Sequence, residues 1–156
     1  MGISYRFKKK EFILMLDMFG DAGSLEQKFG DVYISREEYD RTAAALHARG
    51  FVTVIGDTVS AEPGMEVIMK RIFSSKLVFA GTDACNWIYC SADLMIHVRT
   101  DTLTGFEYLV SVVTDDEDKA ELTERLGGTD FRTVRGGYGE ITGDRLVSFA
   151  EEFNYE

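Results

Sequence analysis

Two histidines, two cysteines and a scatter of carboxylates are the residues with types that could do chemistry. His97 lies four residues from both Asp93 and Asp101, which would suit a metal or acid–base site if the three side chains converged. Residues 94–100 alternate as a β-strand does, and on a strand residues four apart share a face but sit about 13 Å from each other. The spacing therefore predicts a structural or surface His97. Cys85, Cys90, His47 and His97 do not fall into the short pairs that a zinc site needs. Cys85 and Cys90 read as one extended segment with side chains on opposite faces, which disfavours a bridge between them.

Gly136, Gly137, Tyr138 and Gly139 follow Arg132 and Arg135 and have the composition of a phosphate-cradling loop or a single arginine–glycine element. A phosphate loop joins a buried strand to a helix and carries Lys or Ser/Thr after its glycines. Here Glu140 follows, and the segment reads as a loop. No serine has the Gly-x-Ser-x-Gly setting, and no histidine is placed by sequence to activate Cys90. Expected, then, are no catalytic residues, no cofactor and no metal. Large amphipathic side chains carry much interface energy, so Trp87, Tyr89, Met95 and Leu103 are the candidates for contact with a partner. Leu103 would sit on a turn tip between two strands.

The elements that must position these residues are legible. Residues 8–19 are rich in Leu, Met, Ile and Phe and end at Gly20, which predicts a helix with a narrow polar face. Such a helix is core, or it uses residues 12–19 as a dimer contact. Residues 21–32 read as a loop with a short helical turn at 25–29. The span 34–73 is the best marked. Ser35 and Glu38 have capping-box spacing, with Ile34 and Tyr39 spaced as a hydrophobic staple. The helix stops at Gly50; residues 51–55 and 58–61 flank the turn Gly56-Asp57 as a hairpin; Pro63 opens another helix with Met65, Ile68, Met69, Ile72 and Phe73 on its apolar face.

Beyond residue 75 the period becomes two. Strands are predicted over 76–80, 86–91, 94–100 and 106–113, joined so tightly that they form an antiparallel meander. Thr114 to Glu117 repeats the capping-box pattern before a helix that ends at Gly127-Gly128. Residues 131–134 read as one more strand, and Leu146, Phe149, Ala150 and Phe153 mark a final amphipathic helix. The fold class that follows is α+β: an antiparallel β-meander with helices packed on it, and an N-terminal winged-helix-like helix–hairpin–helix unit. It is expected to form one domain over residues 1–156, with a helical part at 1–75 and a sheet part at 76–156.

The 156 residues suffice for a core without disulfides or metal. The longest apolar run is far too short for a bilayer span. Arg6 and Lys8 to Lys10 mimic the start of a signal peptide, but no small-residue cleavage pattern follows, so a cytoplasmic protein is expected. The net charge of −10 is unevenly spread: residues 1–80 carry 11 basic and 11 acidic side chains, the rest 6 and 16. That surface repels nucleic acid and anionic lipid and favours basic or neutral partners.

A helix, a turn, a capped helix and then a hairpin are the order of a winged-helix DNA reader, with 36–49 as recognition helix and 51–61 as wing. Glu37, Glu38 and Asp40 crowd that helix's start, and the wing has no Lys or Arg, so the charges oppose the topology. The order of LHARGFVTVIGDTVS, AEPGMEVIMKRIF, SSKLVFAG and a meander with WIYCSADLMIHVRT resembles the EspG-type chaperones of type VII (ESX) secretion. Leu46, Arg49, Gly50 and Phe51 stand where that family has Leu-x-x-Arg-Gly-hydrophobic, and the layout is similar over residues 11–126. Family members are longer, with two related halves, so the chain resembles a short relative or half-unit. The resemblance implies a cytoplasmic, non-enzymatic chaperone or adaptor whose protein partner is a helical-hairpin secretion substrate. The alternatives are a winged-helix DNA-binding regulator and a self-associating scaffold.

Overall fold

The structure is a computed structural model that describes residues 2–30, 33–101, 103, 106–137 and 139–156. Tyr138 of the expected glycine loop, Asp31 and Val32 of the first loop, and three residues of the turn around Leu103 lie outside the described residues. The chain falls into two compact units, Phe7–Phe73 and, separately, the N-terminal residues to Arg6 with Ser74–Glu156. The division falls close to the change of hydrophobic period at residue 75. Among the described residues the architecture is α+β, with nine strands, seven of them in one largely antiparallel sheet, and five α-helices.

The larger unit is built on that sheet. Its strands are β1 (Ile3–Phe7), β4 (Leu77–Gly81), β5 (Asn86–Cys90), β6 (Met95–Asp101), β7 (Glu107–Val113), β8 (Asp130–Arg135) and β9 (Glu140–Thr142), in the order β1-β7-β6-β5-β4-β8-β9. The meander β4 to β7 forms as its short connections require, each strand antiparallel to the next. Because side chains alternate, one face carries Leu77, Phe79, Ile88, Cys90, Met95 and Val113. The helices α4 (Asp116–Leu126) and α5 (Gly143–Glu152) close that face with Leu122, Leu126, Leu146, Val147 and Ala150. Burying each of the Leu, Ile, Val, Met and Phe side chains stabilises the fold by about 1.5–3 kcal/mol. Gly143 shows how closely the helices meet: a Cβ there would stand 1.9 Å from the Leu126 carbonyl oxygen.

The smaller unit holds α1 (Lys9–Asp17), a 3-10 turn (Ala22–Ser24), α2 (Arg36–Ala48), the hairpin β2 (Val52–Ile55) and β3 (Thr58–Ala61), and α3 (Pro63–Ser74). Helix α2 ends in a Schellman arrangement: Gly50 takes φ +79°, Phe51 N donates to Leu46 O and Gly50 N to His47 O. The hairpin turn has a positive φ at Gly56 alone of its two central residues, the type II′ pattern that matches strand twist. Arg49 joins the elements. Its guanidinium lies 4.5 Å from the Phe51 ring centroid and 3.1 Å from Glu11 Oε1, and Glu11 also accepts from Lys8 N at the start of α1. Beside it the Phe7 and Phe12 rings stack, and Phe29 meets Phe12 edge-on.

Several expectations change. Residues 12–16 of α1 are buried, so the helix is core and does not offer that stretch as a dimer contact. The helical turn expected at 25–29 forms earlier, at Ala22–Ser24, where Asp21 Oδ1 accepts from Gly23 N. At α2, Ser35 Oγ accepts from Glu38 N, but the Glu38 carboxylate bonds the Ser35 hydroxyl and the Lys10 ammonium instead of closing the box on the backbone. At α4 the cap is Asp115 and not Thr114: its carboxylate, a stronger acceptor, takes Asp118 N at 2.8 Å. Cys85 lies in the turn before β5, where Ala84 has φ 61°, so the two cysteines do not share a strand; both are free thiols. Strands β1 and β9 had no counterpart in the expected set.

Candidate protein-contact surface

The four side chains expected at a partner surface separate on the sheet. Trp87 and Tyr89 share a face of β5, opposite Val98 and Ile96 of β6. Tyr89 is buried, with the Arg135 guanidinium 5.9 Å from its ring centroid, while Trp87 is half-buried. Met95 points to the other face and belongs to the core under α4 and α5. Tyr89 and Met95 therefore carry packing. Leu103 alone of the four stands in solvent, 95% exposed on the turn between β6 and β7.

That turn is braced at its base by ion pairs. Asp101 and Glu107 are the last paired residues of β6 and β7. Arg6, from β1 at the sheet edge, reaches Asp101 Oδ2 at 2.9 Å and Glu107 Oε1 at 3.7 Å. The other Asp101 oxygen, Oδ1, accepts from Leu103 N at 3.0 Å and so fixes the start of the tip. At the far side Phe106 is 67% exposed and takes φ 62°, a left-handed conformation that costs an L-residue about 1–2 kcal/mol. Phe106 opens the strand predicted over 106–113. The strand begins one residue later, and the ring stays outside. The glycine next to it and the run of small polar residues were the signals that the strand pattern had not yet begun.

His97 does not gather the two carboxylates that its spacing offers. Its ring is buried, and Nε2 lies 2.7 Å from Asn86 Oδ1, which requires the proton on Nε2. Burial, with smaller contributions from Arg99 and Arg125, lowers its pKa to about 4, so the ring is neutral at pH 7. Ser111 stands directly opposite on β7, but its hydroxyl bonds that of Ser4 at 2.9 Å. No serine is activated by His97 through that pair. Asp101 is held by Arg6 at the strand end and Asp93 lies in the β5–β6 turn, so neither joins His97. Burial pushes the Cys90 thiol well above its usual range and keeps it protonated. Among the described residues no group of three His, Cys, Asp or Glu side chains is placed to hold a metal ion.

In the smaller unit, the groove between α2 and the hairpin measures about 510 Å³. Its floor is apolar, from Tyr39, Ala43 and Val54, and Arg36 at its mouth faces Asp40 at 3.4 Å and Asp57 at 3.9 Å. The cation a DNA reader would direct at phosphate is thus flanked by two carboxylates. Among the described residues no helix is long and apolar enough to cross a membrane. A scan against protein-family models and searches of curated proteins and of solved structures return no match.

Proposed function

We propose that the chain is a non-enzymatic protein-binding module that engages an apolar surface of its partner through the β6–β7 turn. The observation that carries this reading is the pair Leu103 and Phe106, two large apolar side chains exposed on one turn. Exposed apolar groups grouped at a tip mark interaction sites, and a left-handed non-glycine residue is the kind of stored strain found at such sites. The Arg6 fork under the turn lowers the entropy lost when a partner orders the tip. The neutral, hydrogen-bonded His97 and the protonated Cys90 support a role without acid–base or nucleophilic chemistry.

In its finer form, drawn from the EspG-like layout, the module is a cytoplasmic chaperone or adaptor that covers the apolar end of a helical-hairpin secretion substrate. Size-exclusion chromatography with helical-hairpin proteins encoded by neighbouring genes tests this. Co-elution as a heterodimer is expected, and separate elution with every such neighbour overturns the chaperone form. The winged-helix reading retains one point in its favour, the order α1, turn, α2, hairpin. A salt-dependent mobility shift of operator DNA would promote it over protein binding.

A further inference from the structure

A second surface lies on the same sheet unit, well away from the β6–β7 turn. A groove of about 750 Å³ runs between edge strand β9 and the outward side of α5. Its floor is formed by the half-buried Ile141 and Phe149, and the Phe149 ring meets the Phe79 ring edge-on with centroids 6.0 Å apart, which anchors the floor to the core. Asp130, Glu140, Asp144 and Glu152 line it, all exposed. Arg145 is the only cation lining it among the described residues, which leaves a net of three negative charges.

These acids differ from others of the same unit. Asp101, Glu121 and Glu151 each face an Arg or Lys within 4 Å. The four groove acids make no ion pair among the described residues. Like charges held together on β8, β9 and α5 repel one another at low salt, and a cationic occupant relieves that repulsion. The volume exceeds what a bare or hydrated cation fills, and the apolar floor has no use for one; both fit side chains of a polypeptide.

We propose that this groove docks a basic segment of a partner protein, a stretch carrying Lys or Arg on its flanks and an apolar side chain that seats on Ile141 and Phe149. The proposal is independent of the β6–β7 turn. The acids act at the rim: they steer the approach of a positive segment and reject nucleic acid, acidic peptides and anionic lipid. The floor supplies the gain from burial and so discriminates against a purely cationic chain.

The test is fluorescence anisotropy with a short fluorescein-labelled peptide alternating lysine and leucine, on the full chain at low salt. Two further probes replace its leucines by serine or its lysines by glutamate. The lysine–leucine peptide is expected to bind at least about tenfold more tightly than either. The triple variant Glu140→Gln, Asp144→Asn, Glu152→Gln should weaken it about tenfold, whereas Glu37→Gln, Asp57→Asn, Glu124→Gln, with the same change of net charge, should alter it less than about twofold. Equal loss in both variants, or equal binding of the serine probe, overturns the proposal, because either outcome reduces the effect to net charge. Amide NMR shifts on titrating the unmodified chain provide a readout free of substitutions: they should cluster at Ile141, Thr142, Ser148 and Phe149. Clustering on the helical unit instead overturns it.

Discussion

Replacing His97 by glutamine should flatten the pH dependence of stability. The ring's pKa is about 4 in the fold, held down first by burial and then by Arg99 and Arg125, against an ordinary value of 6.5. Since the folded value is the lower one, the unfolded chain takes up a proton that the fold refuses as the pH falls. The stability contributed by the neutral ring is complete above pH 6.5 and is lost between there and about 4. The gap corresponds to about 3 kcal/mol in full, of which roughly a third to a half is lost by pH 5.5 and most by pH 4.5. His97→Gln keeps a donor for Asn86 Oδ1 and cannot titrate. Trp87, the single tryptophan, lies on β5 and reports the unfolding of the sheet unit. Urea unfolding followed by its fluorescence from pH 7.5 to 4.5 gives both curves, and carboxylate protonation is common to the two. The unmodified chain should lose roughly 2–3 kcal/mol more than the variant over that range. Parallel curves would show that the ring titrates normally and that its burial and single partner have been misjudged.

Other perturbations separate the packing claims. Gly143→Ala should destabilise the sheet unit by more than about 4 kcal/mol, because its Cβ would meet the Leu126 carbonyl, while Gly64→Ala in α3, where nothing lies within 4 Å, should be neutral or slightly stabilising; urea melts compare them. In the native protein a thiol reagent should modify the half-buried Cys85, with Cys90 reacting only on unfolding, which a two-phase titration with a chromogenic disulfide would show. Arg49→Ala should cost about 1–2 kcal/mol, read by circular dichroism of the helical unit in denaturant, through the lost stacking on Phe51 and the uncompensated Glu11 carboxylate.

Local physics made much of the fold legible. The Gly50 stop, the Gly56-Asp57 turn and Pro63 fix backbone geometry within a few residues, so α2, the hairpin and α3 could be read directly. The meander was legible because its connections are too short for any pairing but antiparallel. What escaped depends on distant partners. Strand β1 is short, and it is a strand because β7 offers it an edge. Glu38 left its expected bond for Lys10, 28 positions away in sequence, and no local pattern announces that. The contact residues divided on the same ground. Alternation says that Tyr89 and Met95 lie on opposite faces of the sheet, but not that both faces are buried there. Leu103 was legible because a turn tip has little to pack against. Phe106 was hidden by strand-like alternation that its left-handed backbone breaks. The groove acids are spread over two strands and a helix, so only the fold assembles them.

The claim that the β6–β7 turn binds a partner is tested most directly by calorimetric titration of a co-eluting partner into the unmodified chain and into Leu103→Ser, Phe106→Ser. Both side chains are exposed, so the double substitution should leave the melting curve unchanged. Seating a leucine and a phenylalanine in a partner is worth about 3–5 kcal/mol, so the account predicts affinity lower by roughly 100-fold or more. Unchanged affinity in a folded variant would contradict it.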